Sequence, residues 1–429
     1  MNSIISFYLL PYWRSFKRLV HFDDDVKVLS EVDQGWLESV FNRKIRKYEL
    51  ESMAGGIIGG QNIVKLDIQF QGDSNDKWNH YIIKTCKENY DAIKTAIGFG
   101  MGREGIFYSL NKGTNKSVQY HLPQIYYATG SAYYGNYLII MDNLSGDFVS
   151  GSKLLGNQCW GPVNDIPSSF IDSLDRYHLI KNIYETIAKL HANHWRDFKL
   201  LDIPYLKNRD ILSGGQNARV PWEASLRSLD TLWKSQAKKV FLSIGDDKLE
   251  HSDQLIQLME KMLSESTFES FQSKFNIQNI ETGFTMTHGD FHAANLLIST
   301  KNPLSNFHLI DWSEVGIFCP FTDIAQFCIS NIPIDFRREH EESLFKCYYE
   351  ALVSNNTKID RDIFTLQKCY NRYKVGGIER WLQFITMMAP ALPENANIFF
   401  HNQVSTFIHD HYNDSIKSDL STFYTSYRV

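Results

Sequence analysis

The amino-acid sequence predicts an α+β fold, with a strand-rich first part followed by a helix-rich second part. Short runs dense in β-branched and aromatic residues, broken by glycine or polar stretches, fill residues 47–144. From about residue 170 apolar positions recur instead at helical spacing. Strands and helices segregated in this way argue for α+β rather than for alternating βαβ units. The change falls at Asp142–Ser150 and divides the chain into an N-terminal extension (1–35), a first domain (36–145) and a second domain (146–429).

The extension carries an apolar run, Ile4–Trp13, about half the length that spans a bilayer. Pro11 interrupts it, and Arg14, Lys17 and Arg18 follow it rather than precede it. That order is the reverse of a signal peptide's, which leaves an amphipathic targeting or membrane-surface segment as the alternative to a plain extension. In the first domain "KYELESM", "NIVKLDIQF", "HYIIKTC" and "NYLIIMDNL" read as strands, with "QGDSNDKWN" as the hairpin loop between two of them. "GREGIFYSL" opens a helix. In the second domain "RYHLIKNIYETIAKLHANHW" places Leu179, Ile183, Ile187 and Leu190 on one helical stripe, and "RREHEESLFKCYYEALV" and "GIERWLQFITMM" also read as helices.

Composition bounds the function. The 429 residues are 43% hydrophobic and 22% charged, as in an ordinary globular enzyme. A net charge of −5 lacks the basic balance expected of a nucleic-acid binder. No run approaches the twenty or so apolar residues of a membrane span. The cysteines (Cys86, Cys159, Cys319, Cys328, Cys347, Cys369) are scattered without a CxxC pair, which points to reduced thiols and a cytoplasmic setting. Nothing in the sequence speaks to oligomeric state.

Four stretches carry candidate chemistry. "MAGGIIGGQN" joins two strands, and Gly55, Gly56, Gly59 and Gly60 would let backbone N–H groups approach an anion; the bland alternative is a mobile hairpin. Lys84 interrupts an apolar strand and must reach solvent or find an anion. Glu104, some twenty residues on in a predicted helix, is the partner that a phosphate-holding lysine takes in kinase-like enzymes. The backbone of Asp142–Leu144, at a strand exit, could pair with a purine edge. "MTHGDFHAANLLI" allows two readings. His288, Asp290 and His292 at alternate positions could hold zinc with water in the fourth place. Alternatively Asp290 orients a substrate hydroxyl and takes its proton, while Asn295 and Asp311 of "FHLIDW" bind Mg²⁺ that bridges the phosphates. Only the second reading employs Asn295 and Asp311.

"HGDFHAANLLI" followed by "LIDWSEVGIFCPFTDIA" resembles the aminoglycoside phosphotransferase/choline kinase superfamily, with its H-G-D-x-x-x-x-N and I-D-W/F/Y motifs. "YIIKT", "REGIFYSL", "LIIMDNL" and "IAKLHANHW" stand in the order that this resemblance requires, over roughly residues 48–330, and are most similar to the ecdysteroid-kinase-like (CHK kinase-like) branch. The resemblance implies a bilobal protein-kinase-like fold, with an N-terminal antiparallel sheet and a mainly helical C-terminal lobe. It implies ATP and Mg²⁺ as cofactors, Asp290 as catalytic base, Asn295 and Asp311 as metal ligands, and Lys84 paired with Glu104 over the phosphates. Asp323 would brace the catalytic loop, and His191 would be a core helix residue. The chain departs from protein kinases in carrying His288-Gly289-Asp290 for His-Arg-Asp and Asp311-Trp312-Ser313 for Asp-Phe-Gly, without an Ala-Pro-Glu segment after them. A small hydroxylated molecule is therefore the expected acceptor, for which Trp160, Trp222, Trp233, Tyr370, Tyr373 and Trp381 are candidate walls or plain core. A zinc hydrolase and a catalytically silent ATP-binding protein are the alternatives.

Overall fold

The alternation in "NIVKLDIQF" becomes the second strand of a five-stranded sheet in a computed structural model of the chain. The structure describes residues 26–53, 61–74, 77–114, 120–131, 134–155, 166–212, 216–417, 419–420 and 422–423. These fall into two units, one drawn from Met1–Asp147 and His308–Val315, the other from Phe148–Phe307 and Gly316–Ser426.

In unit 1, helix α1 (Gln34–Phe41) precedes β1 (Ile45–Met53), β2 (Gln61–Phe70) and β3 (Asn79–Cys86). Helices α2 (Tyr90–Phe99) and α3 (Gly102–Asn111) follow, then β4 (Ile125–Gly130) and β5 (Tyr137–Asp142). The sheet order is β1-β2-β3-β5-β4 and every pairing is antiparallel. Val64, Leu66, Ile68 and Phe70 point alternately inward and pack with Leu37, Ile83, Leu138 and Ile140. β1 is an edge strand with Lys47, Glu49 and Glu51 exposed, the charged pattern that keeps an edge from pairing further. α1 starts at Asp33, whose carboxylate accepts from Trp36 N–H, and α2 starts at Asn89 in the same way and ends at Gly100 with φ 63°.

The close approach of α3 to β4 depends on missing side chains. A Cβ at Gly102 would lie 2.1 Å from the Ser131 carbonyl oxygen, and one at Gly105 2.1 Å from that of Thr129. The glycines of "GREGIF" are thus a packing surface that sets the depth at which the helix meets the sheet. Gly105→Ala is expected to destabilise unit 1 by about 1–3 kcal/mol, because the overlap with backbone outweighs alanine's helix preference. Gly35→Ala, whose Cβ meets only Asp33 Oδ1 at 3.5 Å, should not destabilise. Urea denaturation of both variants checks the contrast.

Unit 2 contains β6 (Phe148–Ser150), α4 (Arg176–Asn193), α5 (Gln216–Leu232) and α6 (Ser252–Glu265). The strands β7 (Thr285–Thr287), β8 (Leu296–Ser299) and β9 (Gly316–Phe318) are short. Then come α7 (Pro320–Asn331), α8 (Ile334–Ser354), α9 (Leu366–Met388) and α10 (Glu394–His411). β9 pairs antiparallel with β7, and β6 with β8. The helix expected from "GIERWLQFITMM" begins eleven residues earlier than its apolar pattern, at the Thr365 cap. Gly376 and Gly377 look like a break in sequence but lie inside the helix. A Cβ there would meet Thr322 Oγ1 at 2.7 Å and Ala325 Cβ at 3.0 Å, so the pair lets α9 lie close on α7. Among the described residues no helix is long and apolar enough to cross a membrane.

Candidate active site

Lys84 lies on β3 between β2 and β5, opposite Ile63 and Ile139. A central strand offers its side chain no route to open water, and Lys84 is buried. Its counter-charges come to it. Glu104 on α3 takes its ammonium at 2.9 Å (Oε1) and 2.8 Å (Oε2), and Asp311 Oδ1 lies 3.0 Å away. Asp311 reaches this position because His308–Val315 belongs to unit 1, where Leu309 N–H donates to His121 O at 2.8 Å. Asp311 itself is left-handed (φ 62°). The turn after it is clamped by one face of α3: Arg103 Nη1 donates to Ser313 O at 2.6 Å, and Phe107 stacks on Trp312 at 4.4 Å.

Two carboxylates share one ammonium here. Burial, resisted by Lys84 and reinforced by Asp311, pushes Glu104 up to about 7. Burial alone would lower Lys84, but Asp311 and Glu104 outweigh it and hold it above its ordinary value. Asp311 keeps some solvent access, at 23% side-chain exposure against 0% for Glu104. It is therefore the carboxylate of the pair that a cation can reach.

In unit 2, β7 runs into His288-Gly289-Asp290, with Gly289 left-handed at φ 80°. Asp323 on α7 accepts from His288 N–H at 2.9 Å and from Gly289 N–H at 3.2 Å, the bracing contact that the resemblance implies. His191, buried on α4, lies with Nε2 3.4 Å from Asp323 and Nδ1 2.8 Å from Tyr348 Oη, so it belongs to the same support. Asn295 Nδ2 donates to the Asp290 carbonyl at 2.9 Å, which leaves its amide oxygen as the atom able to serve a metal.

Three contacts to this loop come from residues not singled out in the sequence. Gln326 Nε2 donates to Asp290 Oδ1 at 2.6 Å, Asn331 Oδ1 accepts from Ala293 N–H at 2.9 Å, and Arg380 Nη2 donates to Gly289 O at 2.7 Å. Gln326 and Asn331 follow Asp323 by three and eight residues on one helix, a spacing that could have found them once Asp323 was placed. Arg380 gave no such signal. Burial would raise Asp290, but His292, then Arg380 and His288, hold its carboxyl well below the usual range, so it is ionised at neutral pH.

The other candidates divide. Gly55, Gly56, Gly59 and Gly60 lie outside the described residues, as does Trp160. Asp142 ends β5 with its carboxylate accepting from Tyr126 Oη at 2.8 Å and its N–H committed to Gln124 O at 3.0 Å. Leu144 follows it in the loop. Trp222, Trp233, Tyr373 and Trp381 are buried core, and of the five candidates among the described residues Tyr370 alone is part-exposed. Among the described residues no three His, Cys, Asp or Glu side chains gather as the zinc reading would require. A cavity of about 250 Å³ in unit 2 is lined by Phe275, Phe321, Phe364, Arg372 and Glu379, and Asp290 is not part of its wall.

The chain thus has the α+β architecture that its motifs imply: an antiparallel sheet with a lysine–glutamate pair in one unit, and an Asp-x-x-x-x-Asn loop in a mainly helical second one. The family model described as "DUF1679: Uncharacterized oxidoreductase dhs-27" matches residues 227–424, a segment inside unit 2. No curated protein matches the chain significantly. Among solved structures it is similar to amicoumacin kinase hAmiN in complex with AMP-PNP, Ca²⁺ and Ami (11% identity, 88% of this chain and 94% of that one, TM-score 0.44). It is also similar to a Plasmodium vivax ethanolamine kinase (14%, 86% and 83%, 0.44) and to a microcompartment-associated aminopropanol kinase (12%, 91% and 99%, 0.39).

Lys84→Met would leave two carboxylates without their shared cation. The expected loss of stability is about 3–5 kcal/mol. A carboxyl whose folded-state pKa is raised contributes stability at low pH and loses it as pH rises through the folded value. The variant should therefore be less impaired at pH 6 than at pH 8, and adding Glu104→Gln should flatten that difference. Thermal denaturation at both pH values measures it.

Proposed function

We propose that this chain is an ATP-dependent kinase that transfers the γ-phosphoryl group to a hydroxyl of a small molecule. The observation that carries this reading is Lys84 held by Glu104 and Asp311 at 2.8 and 3.0 Å. A buried lysine shared by a helix carboxylate and a loop carboxylate is the arrangement that positions nucleotide phosphates beside a divalent metal. The donor types suit Mg²⁺: Asp311 and Asn295 are each proposed as a ligand through a side-chain oxygen, the atom type that hard cations prefer. Bound there, the metal would neutralise charge on the β- and γ-phosphates. In the loop Asp142–Leu144, the Leu144 N–H is the group proposed to meet the purine.

The acceptor oxygen forms its bond to the γ-phosphorus as the bond to the β–γ bridging oxygen breaks, and ADP leaves with that electron pair. The acceptor's proton passes to Asp290. A carboxylate held well below its usual range is a weak base, so its main task is to orient the hydroxyl, as a loose phosphoryl-transfer transition state requires. Lys84 fixes the phosphates, and positioning with electrostatics supplies most of the rate.

The word oxidoreductase in the family description stays with the protein that bears it. A dinucleotide fold needs parallel strands joined through helices, whereas the strand pair inside the matched segment, β7 with β9, is antiparallel. A silent ATP-binding protein is disfavoured because Lys84, Glu104, Asp290, Asn295 and Asp311 are all present.

Asp290→Ala is expected to lower kcat about 10²–10⁴-fold without a change in fold. ATP with Mg²⁺ should raise the melting temperature of the wild type and not that of Asp311→Ala. A wild-type rate in Asp290→Ala, or no melting response to ATP and Mg²⁺, would overturn the assignment.

A further inference from the structure

The Asp290 carboxylate is held unevenly. Its Oδ1 receives the Gln326 amide at 2.6 Å, a short hydrogen bond to a charged group. Its Oδ2 has longer contacts, with His292 Nε2 and from Asn295 Nδ2, each at 3.4 Å. One oxygen is held by a short bond and the other by longer ones that an acceptor hydroxyl could outcompete. Which atom of Gln326 faces Asp290 is decided from both sides, by a carboxylate that only accepts and by Arg380, which only donates. Nitrogen and oxygen of a carboxamide have the same shape, so only partners orient it. Arg380 Nε lies 3.3 Å from Gln326 Oε1, and a guanidinium can only donate. Gln326 must then present Oε1 to Arg380 and Nε2 to Asp290.

The same guanidinium donates through Nη2 to Gly289 O at 2.7 Å, the carbonyl just before Asp290 in the left-handed turn. Its other face covers the Phe384 ring, 4.4 Å from the centroid and one helical turn along α9. One side chain therefore sets both the backbone turn and, through Gln326, the carboxylate. Gln326 is buried, so its amide has no water to exchange with. Without Arg380 the amide keeps its attraction to the Asp290 carboxylate but loses the second partner that fixes its position.

We propose that Arg380 and Gln326 are positioning residues that act in series, fixing the plane of the Asp290 carboxylate so that Oδ2 meets the acceptor hydroxyl. The catalytic half of this statement rests on the kinase reading above; the structural half, that Arg380 orients the Gln326 amide, does not. Arg380 acts through Gln326 and through the Gly289 carbonyl, and Gln326 through Asp290. Neither is assigned a contact with substrate.

Two measurements test the series. The first needs no activity: the side-chain amide signals of Gln326 in ¹⁵N-glutamine-labelled protein, identified by their loss in Gln326→Met. They are expected to shift in Asp290→Asn and, by a comparable amount, in Arg380→Met. An unchanged Gln326 signal in Arg380→Met would overturn the relay whatever the enzyme does. The second follows ADP release from MgATP with water as the acceptor. Gln326→Met and Arg380→Met should each lower kcat about 10–100-fold, the worth of one hydrogen bond to a charged group, with the KM for ATP within about twofold of wild type. The double variant should be little worse than either single one, because both break one series. Arg380→Lys, which keeps the charge and loses the fork, should behave as Arg380→Met, whereas added guanidinium should recover part of the rate of Arg380→Ala. Multiplying effects in the double variant, or a change in KM alone, would sink the proposal. Wild-type protein that releases no ADP would instead count against the kinase reading, and the Gln326 signal would still decide whether the relay exists.

Discussion

Lys84 sits in the middle of an antiparallel sheet, where an ammonium is tolerated only if counter-charges are brought to it. Unit 1 is built around that demand. Helix α3 must come close enough for Glu104 to arrive, which is why its glycines meet the backbone of β4. A segment two hundred residues away in sequence must return for Asp311 to arrive, and Arg103 and Phe107 on the same helix hold its turn. The result is one cation between two carboxylates, an excess of negative charge with part of it open to solvent. An isolated ion pair would need nothing more; this cluster would be relieved by a further cation, which is the electrostatic sense of placing a metal at Asp311.

Unit 2 solves a different problem, how to hold an irregular loop firmly. All of α7 is buried, yet it carries Asp323, Gln326 and Asn331. Buried polar groups persist where they are hydrogen-bonded, and each of these has a partner in the loop: Asp323 in two backbone N–H groups, Gln326 in the Asp290 side chain, Asn331 in Ala293 N–H. The helix is a rail on which Asp290 is mounted. α9 adds Arg380 from the other side, and Gly376 and Gly377 bring α9 close enough to do so.

A substrate surface is the feature that composition marks least. Aromatic residues that looked like candidate walls are mostly core: Trp222 stacks on Phe271, and Trp381 on Phe400, away from water. Tryptophan and tyrosine serve a core and a ligand equally well, so their density in a stretch of sequence cannot separate the two uses.

Local patterns determined much by themselves. Alternation placed β1 and β2, the helical stripe placed α4, and the spacing of Asp290, Asn295 and Asp311 singled them out as candidates for phosphoryl-transfer chemistry, because these signals are carried by neighbours in the chain. The sequence also paired Lys84 with Glu104 by order and spacing alone. It could not show that Gly376 and Gly377 lie within a helix rather than end one, since glycine reads as a breaker until a close neighbour explains it. Nor could it place Gln326 and Arg380 around Asp290, or bring Asp311 to Lys84. Those contacts join segments tens to hundreds of residues apart, and such pairings exist only once packing has set the distances between elements. Residue types and local elements were legible in the chain; the uneven grip on Asp290 and the shared ammonium were decided by tertiary structure.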